Sequence, residues 1–458
     1  METSTAAQII EHATAFGCDF AEVFLEDRFL DDVRARDEQI VKVSSGRDIG
    51  AGIRVVHDGR TGFAHTADVT YEGLLRTFAA AAGAAGLRGA GMLLGVRRQA
   101  SHAHLITGVP SYDAVDLKDT LRAAREAARG VSDTVDRVGL TVLSSVRRVA
   151  VLNSTGTHSS YETRSDRYVV EVTAAGYGRR ETAMEAPGWT SGSAQLDLPV
   201  MCDAATTAAR RSVRLLTARE APVGDLPVVF AAGAGGVLFH EACGHGLEAD
   251  LVARGASGYA GLLDSPVASP MVTLVDDGRL DSAWGSQLFD DEGEPTSRHT
   301  LIREGALVGF LDARHRPGAR GDSGGSARRE NYRHLPMPRM NNTFMLPGKD
   351  SPESLIRDTE YGIYCTQLGG GSVNTVTGEF SFAVTEGYLI ERGEVTHPLT
   401  TFQLVGNGPA TLRSIDAVAN DFALWPGICG KDRQSVPVTA GQPTLRVRQM
   451  TIAGGARG

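Results

Sequence analysis

The segment His240-Glu241-Ala242-Cys243-Gly244-His245 sets two imidazoles, a carboxylate and a thiol in one short run, directly after a glycine-rich approach that ends at Gly236. Neutral imidazoles are good zinc ligands, and a glutamate beside a metal-bound water can take its proton. The familiar zinc-protease helix spaces its histidines four apart, on one face. Here the spacing is five, and on a regular helix five residues turn roughly 140° beyond a full circle. The rings converge only where the helix is distorted or ends between them, and Gly244 and Gly246 make either outcome easier. Two unrelated surface histidines on a Gly/Ala-rich helix is the competing reading. Two thiols could complete a site. Cys243 follows His240 by three residues, on the same helical face, although so local a ligand set would strain a helix that also presents Glu241. Cys429 lies far off in Pro426-Gly427-Ile428-Cys429-Gly430-Lys431. There the flanking glycines let the backbone approach a metal, and Lys431 could favour a thiolate.

Other stretches imitate chemistry less convincingly. Gly321-Asp322-Ser323-Gly324-Gly325 spells the nucleophile segment of chymotrypsin-like serine proteases, but the histidine segment that should precede it is missing. With Arg316, Arg320, Arg328 and Arg329 around it, Ser323 reads as part of a polar, mobile loop. The acidic run Asp290-Asp291-Glu292-Gly293-Glu294 lacks the alternating ligands of a calcium loop and reads as a turn with an acidic face; Asp276-Asp277 before Gly278 reads as a turn too. Gly369-Gly370-Gly371 suggests tight turns, with a peptide-binding strand edge as the alternative.

The elements that must position these residues follow from the pattern. A chain of 458 residues is too long for one small core and calls for two or three domains. Charged residues at 22% and apolar residues at 42% are ordinary for a globular protein, and a net charge of −9 argues against nucleic acid as a partner. No run is apolar and long enough to span a membrane, the N-terminus lacks the features of a secretory signal, and five scattered cysteines are not a disulfide framework. The expected location is the cytoplasm. Helical spacing marks residues 6–16, with Thr3 or Ser4 as cap, and helices from about Tyr71, from about Asp116 to Arg129 and from about Val200 to Leu216. Strand patterns appear at 20–25, 39–43, 53–56, 63–66, 138–143, 149–152 and 168–174, with Asp58-Gly59 as a hairpin turn. Beyond a weakly patterned boundary at 217–225 the chain turns strand-rich, at 271–275, 306–311, 380–390 and 445–452, with one more helix near 351–359. No internal repeat is visible. The reading is α+β: an α/β-type N-terminal domain over residues 1–220, then a β-rich domain over 221–458, within which the candidate metal-site residues fall.

Taken together, these motifs resemble the TldD/PmbA family, the modulators of DNA gyrase, and specifically its TldD branch. The matching text runs from His240 through Asp250, Asp290 to Gly293, Arg329 to Met340, Gly369 to Gly371, Cys429 to Lys431 and Gly441 to Thr444, with weaker agreement at 52–55 and 59–64. The resemblance implies a zinc metallopeptidase whose Zn2+ is held by His240, His245 and Cys429, with Glu241 as general base to a metal-bound water attacking the amide; Cys243 is not a ligand in that pattern. It also implies flexible or modified peptides as substrates, and a heterodimer with a metal-free homologue of the TldE or PmbA type. Because the full motif is present, this chain reads as the metal-bearing partner. A serine hydrolase built on Ser323, and a non-catalytic regulatory subunit, are the alternatives.

Overall fold

A computed structural model describes residues 3–37, 39–87, 114–191, 197–233, 235–316 and 324–454. Helix α1 (Ser4–Ala15) buries Ala6, Ile9 and Ala13 along one stripe, while Thr3 at its N-cap makes no side-chain capping bond. Next come β1 (Phe20–Arg36), β2 (Gln39–His57), β3 (Arg60–Thr66) and α2 (Tyr71–Ala84). After α3 (Ala114–Arg129) follow β4 (Val135–Asn153), β5 (His158–Gly176), β6 (Arg179–Glu185), β7 (Gly188–Ser191) and α4 (Leu198–Leu215). The strands form one sheet in the order β3-β2-β1-β4-β5-β6, with β7 beside β5. Every pairing in it is antiparallel. Asp58 and Gly59 both take positive φ, 48° and 71°, the combination a two-residue hairpin turn requires.

The strands are longer than apolar patterning indicated. The expected pieces at 39–43 and 53–56 are one strand, and β1 pairs with it from Phe20↔Val56 to Arg36↔Gln39. What carries pairing through the polar middle is cross-strand charge: Arg47 Nε meets Asp27 Oδ1 at 2.8 Å, and Lys42 Nζ meets Asp32 Oδ2 at 2.5 Å. Likewise the pieces at 138–143 and 149–152 are both β4. Alternation along β1 and β4 sends Val23, Leu25, Ala150 and Leu152 into the core under α1 and α2. Phe24, Val149 and Val151 pack on the other face, against Tyr332 from the second half of the chain.

That second half opens with β8 (Gly224–Phe230), α5 (Gly236–Phe239), α6 (Ala249–Ala253), β9 (Leu274–Asp277), β10 (Arg298–Arg303) and β11 (Ala306–Leu307). Then come β12 (Ala327–Arg328), β13 (Met337–Pro338), β14 (Asn342–Met345), α7 (Pro352–Arg357), β15 (Tyr361–Val373), β16 (Glu379–Glu391), β17 (Glu394–Leu399) and β18 (Phe402–Asn407). The chain closes with α8 (Gly408–Arg413), β19 (Ile415–Val418), β20 (Ala423–Lys431), β21 (Gln434–Gln442) and β22 (Leu445–Ala453). One sheet runs β15-β8-β22-β18-β16-β17, and pairing of β15 with β16 closes five of its strands into a ring; a second runs β11-β10-β9-β14-β21-β20. The whole is a strand-rich α+β fold.

Four expectations need correcting. Asp290, Asp291 and Glu292 are not an acidic surface: all three are buried. Asp290 accepts backbone N–H bonds from Glu292, Glu294, Gly325 and Ala327. Glu292 and Asp291 belong to an ion network between the halves, in which Arg54 reaches Glu22 at 2.7 Å and Glu292 at 2.8 Å, and Arg329 reaches Glu22 at 2.6 Å. Arg328 and Arg329, read as loop residues, are buried as well. Asp276 is not in a turn but on β9, where it accepts from Asn341 N and Thr343 Oγ1. Gly369 to Gly371 lie within β15, at a register irregularity opposite Phe382; a Cβ on Gly371 would fall 2.0 Å from that ring. The ring takes the space beside Gly371, and the Thr385 methyl, 2.8 Å from a Cβ on Gly369, the space there, so these two glycines serve strand packing rather than a turn.

Candidate metal centre

The glycine-rich approach leads into α5, and the helix then changes pitch. His240–Gly244 form a π-turn and His245–Leu247 a 3₁₀ turn, with the His245 N–H bonded to the His240 carbonyl. An i→i+5 bond stacks residues five apart, so the widened turn answers the five-residue spacing that a regular helix could not. The two rings end with centroids 5.0 Å apart and planes at 87°. The opposite side of the segment anchors it: Leu238, Phe239, Ala242, Cys243 and Leu247 all join the main core of the second half. Close approach fixes the glycines, since a Cβ on Gly244 would lie 2.2 Å from Met340 Sδ and one on Gly246 2.7 Å from the Tyr259 ring.

Cys429 arrives from β20, paired with Val436 of β21, and its carbonyl accepts from the buried Arg339 guanidinium at 2.7 Å. Its thiol sits 3.3 Å from His245 Nε2. One ligand atom each from His240, His245 and Cys429 lie within 4.8 Å of one another, and all three residues are buried. Tetrahedral bonds of zinc to nitrogen and sulfur place ligand atoms roughly 3.3–3.6 Å apart, the scale seen here. Both ring nitrogens of His240 are buried without a hydrogen-bond partner among the described residues, an arrangement that costs free energy unless something else is bound there. The donor set and the orphaned ring fit a metal ion. Burial pushes the Cys429 thiol up, but the His240 and His245 imidazoles beside it outweigh that and hold it down at about 4. The group is therefore poised as a thiolate, the form that binds metal.

The other thiol is elsewhere. Cys243 donates to the Phe239 carbonyl at 3.0 Å from inside the core, and burial pushes its thiol far up. Glu241 stands at the start of the π-turn, its side chain 23% exposed and its carboxylate 4.0 Å from His245 Nε2. Glu248 was missed. It is fully buried, accepts from His245 Nδ1 at 3.2 Å and from Lys431 Nζ at 2.9 Å. Burial pushes its carboxyl up, yet His245 and Lys431 hold it at about 2. This fixes a proton on Nδ1 and leaves Nε2 free to ligate, the usual support behind a ligating histidine. Lys431 acts here, on Glu248 and on Asp250 at 2.8 Å, rather than on the Cys429 thiol as its sequence position suggested. A glutamate three residues past His245 was the available signal for Glu248. Ser323 lies outside the described residues.

Comparison with known proteins follows the same lines. Models of the PmbA/TldA metallopeptidase family match in three parts: domain 1 over residues 21–85, the central domain over 106–216 and the C-terminal domain over 223–454. The chain is 32% identical to the metalloprotease TldD homolog of Haemophilus influenzae, over 99% of this chain and 97% of that one. It is 32% identical to a metalloprotease of Methanothermobacter thermautotrophicus over 92% of each, and 31% identical over 54% of its length to the zinc metalloprotease TldD homolog of Saccharolobus solfataricus, 55% of which is covered. Among solved structures, TldE from Thermococcus kodakarensis shares the fold at a TM-score of 0.78 and 20% identity, covering 98% of this chain and all of that one. A Thermotoga maritima modulator of a DNA gyrase does so at 0.77 and 20%, covering 98% and 99%. Among the described residues no helix is long and apolar enough to cross a membrane.

Proposed function

The chain belongs to the TldD/PmbA family of metallopeptidases, and on that premise we propose that it is a zinc-dependent peptidase or amidase acting on flexible or modified peptides. One observation carries the proposal: the buried convergence of His240, His245 and Cys429 beside Glu241, with both ring nitrogens of His240 unpartnered among the described residues. In this reading His240, His245 and Cys429 hold the metal through two nitrogens and a thiolate, which leaves a fourth position open. A zinc ion bound there would supply the Lewis acidity that lets water attack an amide near neutral pH.

The chain's own residues do the rest. Glu241, part-exposed and therefore able to meet a substrate, takes the proton from the attacking water and returns one to the leaving amine. Glu248 and Lys431 hold His245 in the ligating tautomer. The unit of residues 221–458 carries the chemistry, and residues 1–220 support it through the Glu22–Arg54–Glu292 network. A thiolate ligand suits the reducing cytoplasm. The chain pairs with a metal-free homologue of the TldE or PmbA type, a reading supported by the shared fold of the solved TldE.

The test is hydrolysis of a flexible peptide in the presence of 1,10-phenanthroline. Activity should disappear and return when zinc is restored. Persistence in the chelator, with loss on serine-directed inhibition, would move the chemistry to Ser323.

A further inference from the structure

A cavity of about 370 Å³ lies between the face of the first sheet turned toward the second half and the β20–β21 hairpin. Its charge is the reverse of the molecule's. The chain carries −9 overall, yet Arg28, Arg147, Arg167, Arg328 and Arg329 line this space against a single acid, Glu330. Two of the five are already neutralised: Arg147 pairs with Glu26 and Asp291, and Arg329 with Glu22. The other three lack a carboxylate at ion-pair distance among the described residues. Among the described residues Arg28 donates only to Ser145 Oγ, at 3.2 Å. Arg167 lies over the Trp284 ring, 5.6 Å from its centroid, and burial alone acts on its guanidinium. Arg328 spends its bonds on the carbonyls of Met340 and Pro437. Guanidiniums without a counter-ion along a formed cavity are costly unless a ligand supplies an anion.

We infer that this cavity is an anion site for the side-chain carboxylates of an acidic peptide. A guanidinium fork matches a planar carboxylate in two parallel bonds. The arginines alternate with apolar groups, among them Trp284, Val436 and Ile428, so the ligand carries hydrocarbon as well as charge, which a bare phosphate does not. The volume falls in the range of built ligand sites. Its position gives it a use. Ile428 and Cys429 are consecutive on β20, the edge strand of its sheet, so their side chains point to opposite faces: Cys429 to the histidines and Ile428, 54% exposed, to the cavity. An acidic segment held here lies one strand's thickness from the metal centre. As a statement about substrate, this rests on the peptidase reading; as a statement about binding, it does not.

The experiment measures binding to the full-length, metal-free chain by calorimetry, with end-blocked oligoglutamate, the matching oligoglutamine, and inorganic phosphate as probes. Oligoglutamate should bind, oligoglutamine should not, and phosphate should bind at least about tenfold more weakly than oligoglutamate. Affinity should fall steeply as salt rises from about 50 to about 500 mM, a readout that needs no mutation. The double substitution Arg28→Gln/Arg167→Gln removes two guanidiniums that hold no ion pair, and should weaken oligoglutamate binding by about tenfold or more at unchanged thermal stability. Binding that ignores salt, or survives the double substitution, overturns the inference, and so does no oligoglutamate binding at all. Phosphate binding as tightly as oligoglutamate would assign the site to a free ion and overturn the peptide class. Hydrolysis of neutral peptides without oligoglutamate binding would sink this inference and leave the peptidase standing; binding without any hydrolysis would do the reverse.

Discussion

Replacing Glu248 with Gln removes the carboxylate that supports the candidate centre from behind while keeping its shape. Glu248 is fully buried and holds both His245 Nδ1, at 3.2 Å, and Lys431 Nζ, at 2.9 Å. Lys431 keeps Asp250 Oδ1 at 2.8 Å and the Pro338 carbonyl at 3.1 Å. Its ammonium is thus not stranded, and the loss should fall below the ~3–5 kcal/mol of a fully severed buried pair. A charge-assisted bond lost inside the protein is worth about 1.5–3 kcal/mol. Metal affinity should drop by about 10–100-fold, measured by competition with a chromophoric chelator. The sign of the pH effect follows from the folded-state carboxyl being held at about 2, below its ordinary 4.5. Such a group stabilises the fold fully above its unfolded value and loses that contribution as pH falls toward 2. The stability gap between the parent and Glu248→Gln, read by urea unfolding of metal-free protein, should therefore be widest near roughly pH 5–6 and shrink below roughly pH 4.3. It should shrink again above the ordinary imidazole value of 6.5, because burial lowers His245 but Glu248 raises it well above that value, and this contribution fades as the pH climbs toward the raised value. Unchanged metal affinity, or a gap that persists undiminished to pH 3, would refute this role.

Cys429→Ala should lose most bound zinc and nearly all activity while Cys243→Ala keeps both, since only Cys429 stands beside the imidazoles; metal content of the two folded variants decides, and the reverse pattern overturns the ligand set. Arg329→Met should destabilise the chain by about 3–5 kcal/mol, because its guanidinium is wholly buried against Glu22. A urea-unfolding loss under ~1 kcal/mol would show that solvent screens the network. Purified alone, the chain should turn over peptides weakly, with full activity only beside a metal-free homologue. Full activity from a demonstrated homodimer, unchanged when that homologue is added, would contradict an obligatory partner.

How much of this was legible depends on what carried each feature. The helix stripe at Ala6, Ile9 and Ala13 and the Asp58-Gly59 turn were readable because local periodicity and local φ demands decide them. The length of β1 and β2 was not, because charges such as Arg47 and Asp27 hold the middle of that pair and leave no apolar alternation to see. The acidic run at 290–292 misled for a related reason: its charged partners, Arg54 on Glu292 and Arg147 on Asp291, are distant in sequence, so nothing local announces that these charges are buried and matched. At the candidate centre the five-residue spacing correctly demanded a distorted helix, and the π-turn is that distortion. Glu248 escaped notice because a supporting carboxylate has no signature apart from the ligand it supports.

The central claim is that Glu241 moves the proton while His240, His245 and Cys429 hold the metal. Glu241→Gln tests it most directly, with zinc content and peptide turnover measured on the same purified sample. Zinc should stay at the parental stoichiometry while turnover falls by roughly two to four orders of magnitude. Zinc lost in proportion to activity would make Glu241 a ligand, and full turnover in the variant would contradict the mechanism outright.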